Sequence, residues 1–314
     1  MQQQTSFDLA RARVCVVMNP GSGKQDGDAL TDLLERELPP RVAEFALYRA
    51  ATGADLPRLA RKAVAEDFDL IVAAGGDGTQ AAVAGELAGT EAVMGVIPAG
   101  TFNFFARELG VGENPEQGLE TLLAGRPATV HVGDINGLVF LNNVSFGAYP
   151  KILQRREDTY RRWGRSRIAA YWSVIAALVN MRHPMRLLAD DGRQERHFRT
   201  ALAFVANSAY QLDAFGLDGA EAVRSGHFAL LIAKANRPVA LIGAALRLAF
   251  GKAGRDSDFD LIVTDRITIE TRPNRQLIAH DGEKTRMTGP FHLAVRRDAL
   301  KVLLPLPKPE KTDE

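Results

Sequence analysis

The spacing of apolar positions divides the chain into two textures. From Arg13 to about residue 130, short apolar runs alternate with longer stretches whose apolar residues recur three or four apart. This reads as strand 13–20, helix Asp28–Leu38 stopped by Pro39-Pro40, strand Val42–Arg49 and helix Asp55–Glu66. A buried run, Leu70 to Ala74, follows; then come helix Gln80–Leu87, opened by Thr79, and strand Val93–Ile97. Strand and helix alternating at this spacing predict a doubly wound parallel sheet with right-handed crossovers.

Beyond residue 130 the runs shorten and turn pairs appear: Asn136-Gly137, Asp191-Gly192, Arg272-Pro273-Asn274 and Asp281-Gly282. Strands are expected at Val139–Val144, Arg186–Ala189, Ala201–Ala206, Phe228–Ala233, Phe259–Val263, Arg266–Thr271 and Phe291–Val295. Two helical patterns, Arg165–Met181 and Pro238–Phe250, interrupt them. The expected organisation is an α/β domain over 10–132 and a mostly antiparallel β-sandwich over 133–307 with helical insertions, with a cleft between the two and a disordered tail at 308–314.

Composition narrows this picture only slightly. The 314 residues, 46% hydrophobic and 25% charged, suit two globular domains. A net charge of +1 gives no overall field for nucleic acid, and no nucleic-acid partner is expected. The single cysteine, Cys15, falls in an apolar strand pattern and reads as a small core residue in a reducing compartment. Residues 1–13 lack an apolar core of signal-peptide length, and the uncharged run Ile168–Met181 is shorter than the ~20 residues a spanning helix needs. Arg155, Arg156, Arg161, Arg162, Arg165 and Arg167 crowd the start of that run, among Tyr160, Trp163, Tyr171 and Trp172. Such a flank suits an anionic membrane surface; a solvated face is the plainer alternative. The expectation is a cytoplasmic protein, peripheral on the inner face of the membrane.

The candidate chemistry centres on Gly75-Gly76-Asp77-Gly78-Thr79, directly after the buried run. Glycines permit a sharp turn and close backbone approach, and the helix that follows would turn its free N–H groups toward an anion. Asp77 is the odd member: a carboxylate repels bare phosphate unless a divalent cation or a reacting hydroxyl lies between. Gly76-x-Gly78-x-x-Ala81 also satisfies a dinucleotide pattern, but it follows the third strand and no acidic residue ends the next one. Gly21-Ser22-Gly23-Lys24 fails as a Walker A loop because Met18 stands where glycine is required and Gln25 replaces Ser/Thr. Asn19, Thr52, Gly75 to Thr79 and Thr101 all fall at or just beyond strand carboxyl ends, where such sheets bind ligands.

A second turn-into-helix, Pro98 to Leu109, carries Thr101, Asn103 and Arg107 together with Phe102, Phe104 and Phe105. The aromatics read as packing, or one of them as lining an apolar groove. His280-Asp281-Gly282-Glu283 reads as a hairpin turn, with Glu283 a candidate general base.

These elements resemble the diacylglycerol kinase catalytic-domain family, which includes soluble bacterial lipid kinases and sphingosine kinases. The resemblance rests on Asn19-Pro20-x-Ser22-Gly23, Gly75-Gly76-Asp77-Gly78-Thr79, Pro98-x-Gly100-Thr101-x-Asn103-x-x-Ala106-Arg107, Leu141-Asn142-Asn143-x-Ser145-x-Gly147 and Asp281-Gly282-Glu283. It implies that 10–132 is a nucleotide-binding domain and 133–307 a lipid or substrate domain, with a nucleotide cleft between them. It also implies ATP and Mg²⁺ as cofactors and phosphoryl transfer to a lipid hydroxyl. By position, Asn19, Thr52, Gly75, Gly76, Asp77, Gly78, Thr79 and Thr101 would bind nucleotide. Glu283 would accept the proton, Asp77 would support metal–phosphate geometry or itself be the base, and Asp281 would orient Glu283 or help hold metal. Phe104 stands where the family often has aspartate. Ser225 stands where bacterial members place an aspartate of a structural Mg²⁺ site, and serine is a poor ligand for that hard cation. No metal ligands are therefore assigned.

The sequence thus predicts an ATP- and Mg-dependent kinase acting on a diacylglycerol-like lipid, and leaves a homodimer open. An NAD kinase-like enzyme and a non-catalytic lipid- or nucleotide-binding relative are the alternatives.

Overall fold

The structure is a computed structural model describing residues 6–21, 27–147, 184–234 and 258–307. The expected helical stretches Arg165–Met181 and Pro238–Phe250, the arginine-rich approach to the first of them and the tail 308–314 lie outside these residues. The chain divides into two compact units, Met1–Val132 with Arg297–Glu314, and Gly133–Arg296.

In the first unit, β1 (Arg13–Met18), β2 (Glu44–Arg49), β3 (Leu70–Gly75) and β4 (Val93–Pro98) form a parallel sheet in the order β2-β1-β3-β4. The central strands β3 and β4 are buried along their whole length, as continuous apolar runs in a covered parallel sheet should be. Helices α1 (Gly27–Glu37), α2 (Leu56–Ala65) and α3 (Asp77–Leu87) fill the crossovers. Leu30, Leu34 and Leu38 join Val14, Val16, Val72 and Ala74 in one core cluster. Full burial of each such leucine is worth about 1.5–3 kcal/mol, so packing more than helix propensity fixes α1 on the sheet. Cys15 is a free, fully buried thiol, pushed up to about 12 by burial, which bears out its reading as a core residue.

Two short helices, α4 (Phe104–Glu108) and α5 (Pro115–Ala124), follow β4. The sequence pattern missed α5, although Asn114 caps it by accepting the N–H of Gln117 and Pro115 occupies its first position. The expected domain division gave 297–307 to the second domain, but these residues group with the first unit. There Val302 pairs in parallel with Met94 beside β4.

The second unit is a sandwich. Strand β5 (Arg126–Ile135) leads into it, followed by β6 (Leu138–Phe140), β7 (Asn143–Gly147), β8 (Met185–Asp190), β9 (Glu195–Thr200) and β10 (Leu202–Ala206). Helices α6 (Ala209–Ala214) and α7 (Ala220–Arg224) come next. The remaining strands are β11 (Phe228–Ala233), β12 (Phe259–Thr264), β13 (Arg266–Arg272), β14 (Arg275–His280), β15 (Glu283–Thr288) and β16 (Phe291–Leu304). One layer runs β12-β11-β10-β7-β14-β15, antiparallel throughout. The other contains β9, β8, β13 and the first part of β16. Phe146, Val205, Leu230 and Ile278 from one layer meet Leu187, Ile269, Phe291 and Leu293 from the other in a single buried cluster.

Three expected elements differ. Helix α3 starts at Asp77, not Gln80, because Gly76 is its N-cap. The strand expected at Val139–Val144 is broken into β6 and β7 at Leu141-Asn142, where the amides turn aside to a carboxylate. The strand expected to end at Val295 continues to Leu304.

Candidate active site

Parallel register ranks the carboxyl ends of the first-unit strands side by side: Met18 pairs with Arg49 and with Ala74, and Gly75 pairs with Pro98. The strand order reverses between β1 and β3, and a crevice outside such a reversal is where doubly wound sheets bind ligands. Asn19 follows β1 and the glycine turn follows β3, so they flank the reversal. The Asn19 N–H donates to the Ala74 carbonyl at 3.3 Å, and its Oδ1 accepts the N–H of Gly21 at 3.2 Å.

The glycines of the turn serve packing as well as ligand approach. A Cβ on Gly76 would lie 3.1 Å from the Gly100 Cα, and one on Gly100 only 2.5 Å from the Gly76 Cα. The turns after β3 and β4 therefore touch backbone to backbone, which only glycine allows. Gln80, fully buried, holds the first turn from below by donating its Nε2 to the Gly75 carbonyl at 3.1 Å.

Asp77 joins the two turns. Its Oδ2 accepts the N–H of Asn103 at 2.9 Å and its Oδ1 that of Phe105 at 3.4 Å, at the start of α4. Burial raises its proton affinity, and the amides of Phe105, Phe104 and Asn103 oppose that rise. Asn103 is the left-handed N-cap of α4, with φ 52°. Its Oδ1 accepts the Gly100 N–H at 2.9 Å and its Nδ2 donates to the Glu113 carbonyl at 3.0 Å. Sequence reading noted Asn103 but missed this clamp. Arg107, one turn on, pairs with Glu113 at 2.7 Å.

Thr101 is exposed at the second turn, and Phe102 beside it is 50% exposed. Phe102 stacks on Phe104 with centroids 5.4 Å apart, while Phe105 is core. Thr52 lies past β2, where its N–H and hydroxyl both donate to Asp55 at 3.0 Å and hold that carboxyl below its ordinary range.

In the second unit Asp281 and Gly282 link β14 to β15, with φ 46° and 87°, the positive pair of a tight hairpin turn. Asp281 is buried and accepts the N–H groups of Leu141 and Asn142, each at 2.7 Å, and of Asn143 at 3.1 Å. These bonds explain the break between β6 and β7. Asn143 passes the connection on to Gln211, its Nδ2 donating at 3.0 Å. Glu283, two residues beyond Asp281, is exposed. Burial lowers the proton affinity of His280, whose Nε2 lies 3.1 Å from the Thr285 hydroxyl. Ser225 spends its hydroxyl on the Glu221 carbonyl at 2.5 Å. Among the described residues no group of three or more His, Cys, Asp or Glu is placed to hold a metal ion.

The glycine turn fits a phosphate group. Among the described residues no side chain caps α3 at Gly76, and the Asp77 carboxylate in its first turn already shares its charge with the amides of α4. The class defined by the first unit is thus a doubly wound α/β domain with a glycine turn at its strand-order reversal. Residues 13–135 match the model of the diacylglycerol kinase catalytic domain. A diacylglycerol kinase of Bacillus subtilis (strain 168) is 27% identical over 318 residues, covering 98% of this chain and 100% of the relative. A diacylglycerol kinase of Staphylococcus aureus (strain JH9) is 30% identical over 151 residues, 45% of this chain and 46% of the relative. The crystal structure of a diacylglycerol kinase from Bacillus anthracis str. Sterne superposes with a TM-score of 0.71 at 21% identity, covering 94% and 98% of the two chains. That likeness supports the two-unit fold. The resemblance read from the motifs is borne out by this match of residues 13–135 to the diacylglycerol kinase catalytic-domain model and by the relatives named diacylglycerol kinase. No described helix is long and apolar enough to cross a membrane.

Proposed function

We propose that this chain is a lipid kinase that moves the γ-phosphoryl group of magnesium-bound ATP to the hydroxyl of a diacylglycerol-like lipid. The reading is carried by one observation: Asn19 and the Gly75–Thr79 turn flank the strand-order reversal at the sheet's carboxyl edge. Phosphoryl transfer asks a protein mainly to position its reactants and to offset charge. Main-chain amides at the start of α3 hold the phosphates, and Asn19, Thr52 and Thr101 contact the nucleotide. Magnesium arrives with the nucleotide as part of the substrate and offsets its charge. Asp77 positions the second turn against the first through the Asn103 and Phe105 amides. Glu283 takes the proton from the acceptor hydroxyl, and Asp281 fixes the turn that carries it. Phe102, exposed and stacked on the half-buried Phe104, offers an apolar surface to an acyl chain.

Incubation of the pure protein with γ-labelled ATP, Mg²⁺, a total lipid extract and NAD tests this reading. Label is expected in a lipid phosphate. Label in NADP with none in lipid would replace it with the NAD kinase reading, and nucleotide binding without turnover would replace it with the non-catalytic one.

A further inference from the structure

On the outer face of the sandwich, strand register sets three arginines in one row. Arg186 of β8 lies directly opposite Arg272 of β13 on one side and Arg199 of β9 on the other. Directly opposed side chains on antiparallel strands have Cβ atoms roughly 4.5–5.5 Å apart, and like charges so placed repel. None of the three guanidiniums is held in an ion pair among the described residues, unlike Arg196 nearby, which pairs with Asp191 at 3.4 Å. The row lines a half-open groove of about 740 Å³, whose wall also includes Leu188, His197, Glu270 and Asn274. Among the described lining residues Glu270 is the one carboxylate, so they carry a positive excess. Its volume is within the roughly 300–1,000 Å³ typical of small-ligand sites, and its concavity suits a single molecule more than a flat bilayer.

We propose that this groove is a second anion site, which binds a small ligand carrying one or more phosphate groups. Guanidinium forks engage phosphate oxygens in pairs, and a dianion among three of them converts their mutual repulsion into attraction. Nothing in the proposed phosphoryl transfer uses these residues, so the inference is independent of that reaction.

The test compares the full-length wild type with the triple variant R186Q/R199Q/R272Q, using inorganic pyrophosphate as probe. Pyrophosphate also suits the glycine turn, so the response is read at the site, from the main-chain amide resonances of residues 186–188 and 197–199. These resonances are expected to shift on titration in the wild type, with binding there weakened by roughly tenfold or more in the variant. Without anion the variant is expected to unfold at the same or a higher temperature, since the repulsion is gone and the fold intact. Resonances that stay still in the wild type, or that respond equally in the variant, would overturn the proposal. So would capture by phosphatidylglycerol vesicles with no response to pyrophosphate, which would make the row a membrane surface.

Discussion

The Asp77 carboxylate accepts the main-chain N–H of Asn103 at 2.9 Å, which ties the turn that follows β3 to the turn that follows β4. A residue read from sequence as a partner for magnesium and triphosphate thus has a second task, holding the start of α4. Asp77→Ala is expected to cost about 0.5–2 kcal/mol in urea unfolding, the range for losing a helix cap. Displacing the second turn should lower turnover on the order of 10²-fold or more, measured with saturating ATP.

The two acids of the hairpin should separate cleanly. Asp281→Ala strands three main-chain donors, and a stability loss on the order of 3 kcal/mol is expected in denaturant unfolding. Glu283 is exposed, so Glu283→Gln should change stability by less than about 0.5 kcal/mol. Its effect should fall on turnover, with ATP affinity retained.

Close packing of the two turns predicts a glycine contrast. Gly100→Ala puts a methyl 2.5 Å from the Gly76 Cα and is expected to cost about 1–3 kcal/mol, with weakened nucleotide binding. Gly53→Ala meets nothing within 4 Å and should leave the melting temperature near that of the wild type. Differential scanning calorimetry of the pair checks both.

His280 gives the second unit a pH dependence of known sign. Its folded proton affinity lies below the ordinary value of 6.5 because burial disfavours the imidazolium. The unfolded chain therefore takes up the proton first as pH falls. The contribution to stability is fully present above pH 6.5 and is lost between there and the lower folded value. Urea midpoints measured from pH 8 to pH 5 should show this decline, and His280→Gln should flatten it.

Much of this was legible in the chain. The parallel strands of the first unit are continuous apolar runs, and Leu70–Ala74 and Val93–Ile97 announced themselves. The hairpin at Asp281-Gly282 was equally plain, because few other residue pairs accept positive φ twice. Strand β9 was not, since Glu-Arg-His-Phe-Arg-Thr faces solvent on alternate positions and offers no apolar run. The break at Leu141-Asn142 was hidden for another reason: its cause, Asp281, lies far along the chain and meets it only through folding. The same holds for Asp77, whose bonds to Asn103 and Phe105 belong to two turns that sequence reading treated separately. Position relative to strand ends was readable; the partners of each carboxylate were not.

The account rests on the glycine turn being the seat of the donor nucleotide. Backbone amide resonances followed during titration with a magnesium-bound, non-hydrolysable ATP analogue test it most directly. The prediction is saturable shifts at Asn19 and at Gly75 through Thr79, strongly weakened in Gly100→Ala. Saturable binding elsewhere in the chain, with these amides unmoved, would contradict it.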